Sequence, residues 1–182
     1  IIDGMSRFDP KIHVVIEGAE FADYFWPAVE QYVECTHEYW RSNGQFVPNV
    51  TLRLASGGYI GGGLYHSQNL EGALATLPGA RIVCPSFADD AAGLLRTSIR
   101  SRGFTLFIEP KALYNSVEAA TIVPDDFEVP FGKARIRREG SDLSIITYGN
   151  TTHFCLNVAE RLEKEGGWSV EVIDIRSLIP LD

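Results

Sequence analysis

Short apolar runs alternate with segments of helical periodicity along most of this chain, and that alternation constrains the fold more than any other feature. Residues 50–55, 80–84 and 104–108 are apolar runs of strand length. Among the helical segments, residues 20–42 carry Phe21, Tyr24, Phe25, Ala28, Val29, Tyr32 and Val33 at the spacing of one helix face. Residues 67–76 and 86–101 read as two further helices. Ser86 with Asp89 makes a capping-box pair for the second of these, and Gly103 stands where that helix must stop. The βαβαβ rhythm predicts an α/β fold, a parallel sheet flanked by helices and joined by right-handed crossovers.

Residues 109–139 break the rhythm with three prolines and mixed charge, and predict an extended linker. A second α/β unit follows: a strand at 143–148, a helix capped by Asn150 or Thr151 and ending near 165–166, a strand at 169–173, and a loop at Pro180-Leu181-Asp182. The domains therefore read as 1–114, a linker 115–140, and 141–182. One βαβ unit rarely stands alone, so the second domain reads as incomplete.

The formal net charge of −8 argues against nucleic acid or an anionic membrane as partner, since both need basic patches. No apolar run approaches the roughly 20 residues of a membrane-spanning helix. Ile1 is not a natural start, so a targeting segment can precede it. Cys35, Cys84 and Cys155 are widely spaced, with no C-x-x-C, which argues against a zinc site and points to a reducing compartment.

The densest unusual segment is residues 56–68, Ser-Gly-Gly-Tyr-Ile-Gly-Gly-Gly-Leu-Tyr-His-Ser-Gln. It follows a strand, so it lies at the carboxyl edge of the sheet, where open α/β folds bind ligands. Its glycines permit close backbone approach. His66 is predicted to sit there beside a helix N-terminus, as a group able to give or take a proton near neutral pH, or merely to hydrogen-bond the loop. A dinucleotide fingerprint is not formed, because G-x-G-x-x-G and its following acid are both missing.

The stretch at residues 61–95, GGGLYHSQNLEGALATLPGARIVCPSFADDAAGLL, resembles the β subunit of the thiamine-diphosphate-dependent decarboxylating component of 2-oxo acid dehydrogenase complexes, of pyruvate and branched-chain type. AEFADYFWPAVEQ, FIEPKALY, PFGKARIRREGSDLSIITYG and VEVIDIRSLIPLD match in the same order. The resemblance implies a transketolase-like pyrimidine-binding domain followed by part of a transketolase C-terminal-like α/β domain. It implies oxidative decarboxylation of a 2-oxo acid, with acyl transfer to lipoyl-lysine. It implies that His66 assists proton transfer in the acyl-transfer step, that Ser67 and Gln68 hold its loop, and that Tyr24 lies beside the cofactor's aminopyrimidine. Phe21 and Phe25 read as core. Thiamine diphosphate would be shared with an α-type subunit or domain, which holds the diphosphate and Mg²⁺. The other implied partners are a second β subunit, in a heterotetramer, and the lipoyl acyltransferase. The compartment is then the cytoplasm in bacteria or the mitochondrial matrix in eukaryotes.

The sequence departs from the family in two places. After Ser98-Ile99-Arg100 the usual Asp and Asn are missing, which puts the family's structural potassium ion in doubt. Between Val15 and Ala19 the family has a further segment, with a glycine-rich turn and the glutamate that hydrogen-bonds the aminopyrimidine. Glu17 and Glu20 lack the context to replace that glutamate. Asp89 and Asp90 read as helix N-terminal charge, not as metal ligands. Glu109 and Lys111 read either as partner-facing charges or as a solvated loop pair. Two rivals remain: another transketolase-like enzyme, of transketolase or deoxyxylulose-phosphate synthase type, and a non-catalytic assembly module.

Overall fold

The computed structural model describes residues 1–18 and 21–182. The expected discontinuity between Val15 and Ala19 falls partly on Ala19 and Glu20, which lie outside the described residues, as does the expected helix start at residue 20. The chain runs through helix α1 (Ile2–Phe8), strand β1 (Val14–Glu17), a 3-10 segment (Ala22–Ala28) and helix α2 (Val29–Arg41). Strand β2 (Val50–Ser56), a 3-10 turn (Leu64–His66), short helix α3 (Glu71–Leu74), strand β3 (Ala80–Val83), helix α4 (Ala88–Arg100) and strand β4 (Phe104–Pro110) follow. Beyond a 3-10 turn (Lys111–Leu113) come β5 (Arg135–Arg138), β6 (Leu143–Thr147), α5 (Thr151–Gly166), β7 (Val170–Asp174) and β8 (Ser177–Ile179).

The larger sheet has the order β1-β2-β4-β3-β8. Its first four strands are parallel, with Val50 opposite Phe104 and Ala80 opposite the same residue on the other side. Side chains alternate across it as the strand period demands. Val50, Leu52 and Leu54 join Phe104, Leu106 and Ile108 on the face covered by Phe25, Tyr32, Leu70 and Leu74. Phe107 and Val83 point the other way, onto Leu94 of α4.

The span after β4 is extended, as its prolines suggest, but it is not loose. Val129 is buried against Leu94 and Phe107, with Phe127 and Phe131 beside it. Burial of such a side chain stabilises by roughly 1.5–3 kcal/mol. The Thr97 hydroxyl donates to Val129 O at 2.8 Å and the Arg96 guanidinium to Phe127 O at 3.1 Å. Gly93 makes this approach possible, since a Cβ there would lie 2.8 Å from Val129 Cγ2.

The second unit is a three-stranded sheet, β5-β7-β6, with α5 packed on Val170 and Val172 through Ala159. Gly167, at φ +71°, ends α5 in the left-handed conformation. Residues 180–182 lie in no helix or strand, and just before them Ser177–Ile179, to which the sequence assigned no element, forms β8, which pairs antiparallel with β3 at the edge of the larger sheet.

Three local readings need correction. The helix expected over 20–42 is a true α-helix only from Val29, because Pro27 has no N–H to donate and a 3-10 segment takes the preceding turn. The helix expected over 67–76 is reduced to Glu71–Leu74. The Ser86–Asp89 capping box does not form, since α4 has no side-chain cap and the Ser86 hydroxyl pairs with that of Thr152 at 3.0 Å. The linker caps α4 instead: Ala88 N–H donates to Ala119 O, and Asp89 N–H to the Thr121 hydroxyl at 2.8 Å.

Candidate active site

Strand β2 ends at Ser56, and the glycine loop leaves the carboxyl edge of the sheet beside the end of β4. Gly63 has φ +73° and ψ −176°, a conformation open in practice only to glycine. A Cβ on Gly62 would lie 2.7 Å from that of His66. These two glycines let the chain double back so that His66 projects against the 3-10 segment of residues 22–28.

The His66 ring stacks on Phe21, with centroids 4.4 Å apart and planes 19° from parallel. It meets the rings of Tyr24 and Tyr65 edge-on, at 5.4 and 4.8 Å. Its Nδ1 is buried and has no hydrogen-bond partner. A buried polar atom without a partner is costly, and marks a place where a ligand could complete the bonding. Tyr24, half exposed, borders this cluster and touches Phe21 edge-on. Phe25 is core, as read from the sequence. Phe21 is not simply core: it is the platform beneath His66.

The loop after His66 is bonded at every residue. The Ser67 hydroxyl donates to Gly63 O at 2.7 Å. The Gln68 backbone N–H donates to Asp23 Oδ1 at 3.3 Å, its side-chain oxygen accepts from Trp26 Nε1 at 2.8 Å, and its carbonyl accepts from Gly57 N–H. These long-range bonds explain why no helix begins at Ser67. His66 therefore does not sit at a helix N-terminus, and α3, four residues long and beginning only at Glu71, offers it no dipole.

Glu109 and Lys111 are not a solvated pair. Glu109 receives a forked bond from Arg53, at 2.5 and 3.0 Å, and a third from the Tyr114 hydroxyl. Lys111 is only 7% exposed and donates to His66 O at 2.6 Å. Burial lowers its pKa from the ordinary lysine value, and the nearby Asp23 carboxylate opposes that shift. Asp89 and Asp90 do stand in the first turn of α4, as read, but their charges go to arginines of the second unit.

A groove of about 430 Å³ lies on the α4 side, lined by Arg53, Phe87, Leu95, Phe107, Glu109 and Tyr114. A second hollow of about 260 Å³ lies behind the glycine loop, between Gly57, Tyr59, Glu71, Cys84 and Tyr148. His66 and Tyr24 line neither. Their cluster is a shelf at the surface, open to whatever covers it. In the same loop Tyr59, Leu64 and Tyr65 are largely exposed, a concentration of apolar surface. Among the described residues no group of three His, Cys, Asp or Glu side chains could hold a metal ion, and no helix is long and apolar enough to cross a membrane.

Comparison with known proteins agrees with this architecture. Residues 3–117 match the model of the transketolase pyrimidine binding domain, and residues 132–182 that of the transketolase C-terminal domain. The chain is 43% identical, over 164 residues, to the 2-oxoisovalerate dehydrogenase subunit beta of Bacillus subtilis, covering 90% of this chain and 50% of that protein. It is 42% identical over 166 residues to the mitochondrial 2-oxoisovalerate dehydrogenase subunit beta of Dictyostelium discoideum, covering 90% and 44%. It is 42% identical over 142 residues to the pyruvate dehydrogenase E1 component subunit beta of Staphylococcus aureus, covering 78% and 43%. The chain thus spans about half the length of the curated relatives it matches. Among solved structures, a split-gene transketolase in an inactive beta4 tetramer superposes with a TM-score of 0.69 at 20% identity, covering all of this chain and 54% of that one, a likeness of fold.

Proposed function

The chain belongs to the transketolase pyrimidine-binding-domain family, and from that premise we propose that it is the β subunit of a thiamine-diphosphate-dependent 2-oxo acid dehydrogenase, active with an α-type subunit. The observation that carries this reading is the His66 shelf, an imidazole with an unpartnered buried nitrogen set among Phe21, Tyr24 and Tyr65 at the carboxyl edge of the sheet. Its relatives' names supply the substrate class: 2-oxoisovalerate and pyruvate.

The residues present fit one side of the cofactor. Tyr24, edge-on to the His66 ring, offers an exposed aromatic face to a flat heteroaromatic group such as the aminopyrimidine. The resemblance to dehydrogenase β subunits supports assigning the diphosphate and its Mg²⁺ to the α-type partner. The apolar surface of Tyr59, Leu64 and Tyr65 suits burial by that partner. When bound, the cofactor supplies the electron sink for decarboxylation. The chain's own part is to orient the aromatic group, to exclude water, and to move a proton through His66 as the acyl group passes to a lipoyl arm. The lipoyl acyltransferase and a second β subunit complete the proposed assembly, in the bacterial cytoplasm or the mitochondrial matrix.

The test is a substrate panel on the full-length chain assembled with the α-type subunit, thiamine diphosphate and Mg²⁺. Pyruvate or a branched-chain 2-oxo acid should drive reduction of an artificial electron acceptor, and sugar phosphates should not. Ketol transfer between sugar phosphates would instead place the chain with the transketolases. Turnover of neither substrate class would leave it an assembly module.

A further inference from the structure

We infer that Lys111 is a positioning residue for His66, clamping the catalytic loop from the end of the neighbouring strand β4; this rests on the role proposed for His66. Lys111 stands at the start of the turn that follows β4, 45 residues from His66 in sequence. Three features of its setting go beyond ordinary packing.

The ammonium group makes a charge-assisted bond of 2.6 Å to the main-chain carbonyl of His66 itself. The same nitrogen lies 4.6 Å from the centre of the Phe21 ring, which also stacks on the His66 imidazole. One cation therefore fixes both the main chain of His66 and the platform under its ring. Lys111 is also buried, although lysine is among the residues least often found so. A buried ammonium is retained against its desolvation cost only where its bonds are good, and the Asp23 carboxylate lies near enough to favour its charge.

Asp23 completes the clamp from the other side. Its Oδ1 accepts the Gln68 N–H, two residues beyond His66. Lys111 thus holds the carbonyl of His66 and Asp23 holds the amide of Gln68. The intervening Ser67 is tied back to Gly63. The backbone of residues 66–68 is thus held at three points, and the Phe21 platform, itself braced by Lys111, restrains the ring that this backbone carries. A displacement of about 1 Å in a reacting group costs on the order of 100-fold in rate.

The experiment compares Lys111→Met, which keeps the length and loses the charge, with Lys111→Arg, which keeps charge and donor. The first readout needs no reaction. In the full-length chain with ¹³C-labelled histidine, the His66 ring signal, assigned by its loss in His66→Gln, carries the ring-current displacement of its stack on Phe21. Lys111→Met should move that signal to the position of an unstacked imidazole, and Lys111→Arg should restore it. The second readout is made in the complete assembly. Lys111→Met should slow acylation of the lipoyl acceptor about 10- to 100-fold with the 2-oxo acid KM nearly unchanged, and Lys111→Arg should recover most of that loss. An unmoved His66 signal in Lys111→Met overturns the inference. So does a displaced signal in folded Lys111→Arg, a comparison that still decides the matter if the methionine variant does not fold. A moved signal in a protein that turns over no 2-oxo acid supports the clamp and overturns the proposed function instead.

Discussion

Replacing Asp90 with alanine is expected to cost about 3–5 kcal/mol of stability, the range for removing one partner of a buried ion pair. Asp90 is completely buried in the first turn of α4. Its Oδ1 accepts from Arg176 at 2.9 Å, and its Oδ2 is bonded to Arg137. Arg137 also donates to the fully buried Asp174, at 2.8 and 3.1 Å, and covers the Phe87 ring at 4.0 Å. Arg176 also donates from Nε and Nη2 to the carbonyls of Lys133 and Ala134. Asp90 belongs to the first unit and these arginines to the second, so the cluster is the electrostatic seam between the two sheets. Without Asp90, Arg137 keeps Asp174, a carboxyl itself pushed up in pKa by burial, and Arg176 is left with no ion-pair partner among the described residues. Urea unfolding checks the figure through the midpoint. Glu165→Gln is the comparison, since its pair with Arg161 is about two-thirds exposed and removing it should change stability by less than about 1 kcal/mol. A comparably small change in Asp90→Ala would mean that the seam does not hold the units together.

His66→Ala is expected to lower acylation of the lipoyl acceptor by about 100- to 10,000-fold, the usual contribution of a positioned acid–base group. Decarboxylation followed with an artificial acceptor should fall much less, because the proton transfer assigned to His66 belongs to the acyl-transfer step. The substitution is well suited to the question. The bonds from Lys111 and to Ser67 and Gln68 involve the backbone or neighbouring side chains, not the imidazole, so the loop keeps its anchors. The two rates are measured on one preparation of the complete assembly. Equal losses in both assays would remove the acyl-transfer role and point to general disruption of the shelf.

The alternation of β2, β3 and β4 with α2 and α4 was legible because each element carries its own period, and the parallel sheet follows from that order. Elements set by distant partners were not legible. Residues 67–76 have the composition of a helix, yet Asp23, 45 residues upstream, captures the amide of Gln68 and Trp26 its side chain. Strand β8 is three residues long, and exists only because β3 offers it an edge. The Asp90 cluster joins residues 47 and 86 apart in sequence, which no local charge pattern reveals. In the site, His66 and Tyr24 could be singled out by motif. Phe21 could not, since its helical spacing matches that of a core residue. Lys111 was visible only as a charge in Glu-Pro-Lys, and its burial against the His66 loop is a tertiary fact.

The central claim is that this chain carries one side of a cofactor site completed by an α-type subunit. Calorimetric titration of thiamine diphosphate with Mg²⁺ tests it most directly, into this chain alone and then into its assembly with that subunit. The account predicts saturable heat in the assembly, at one cofactor per α–β pair, and none with this chain alone. Equal affinity for the chain by itself would contradict the account, because the site would then be complete without a partner.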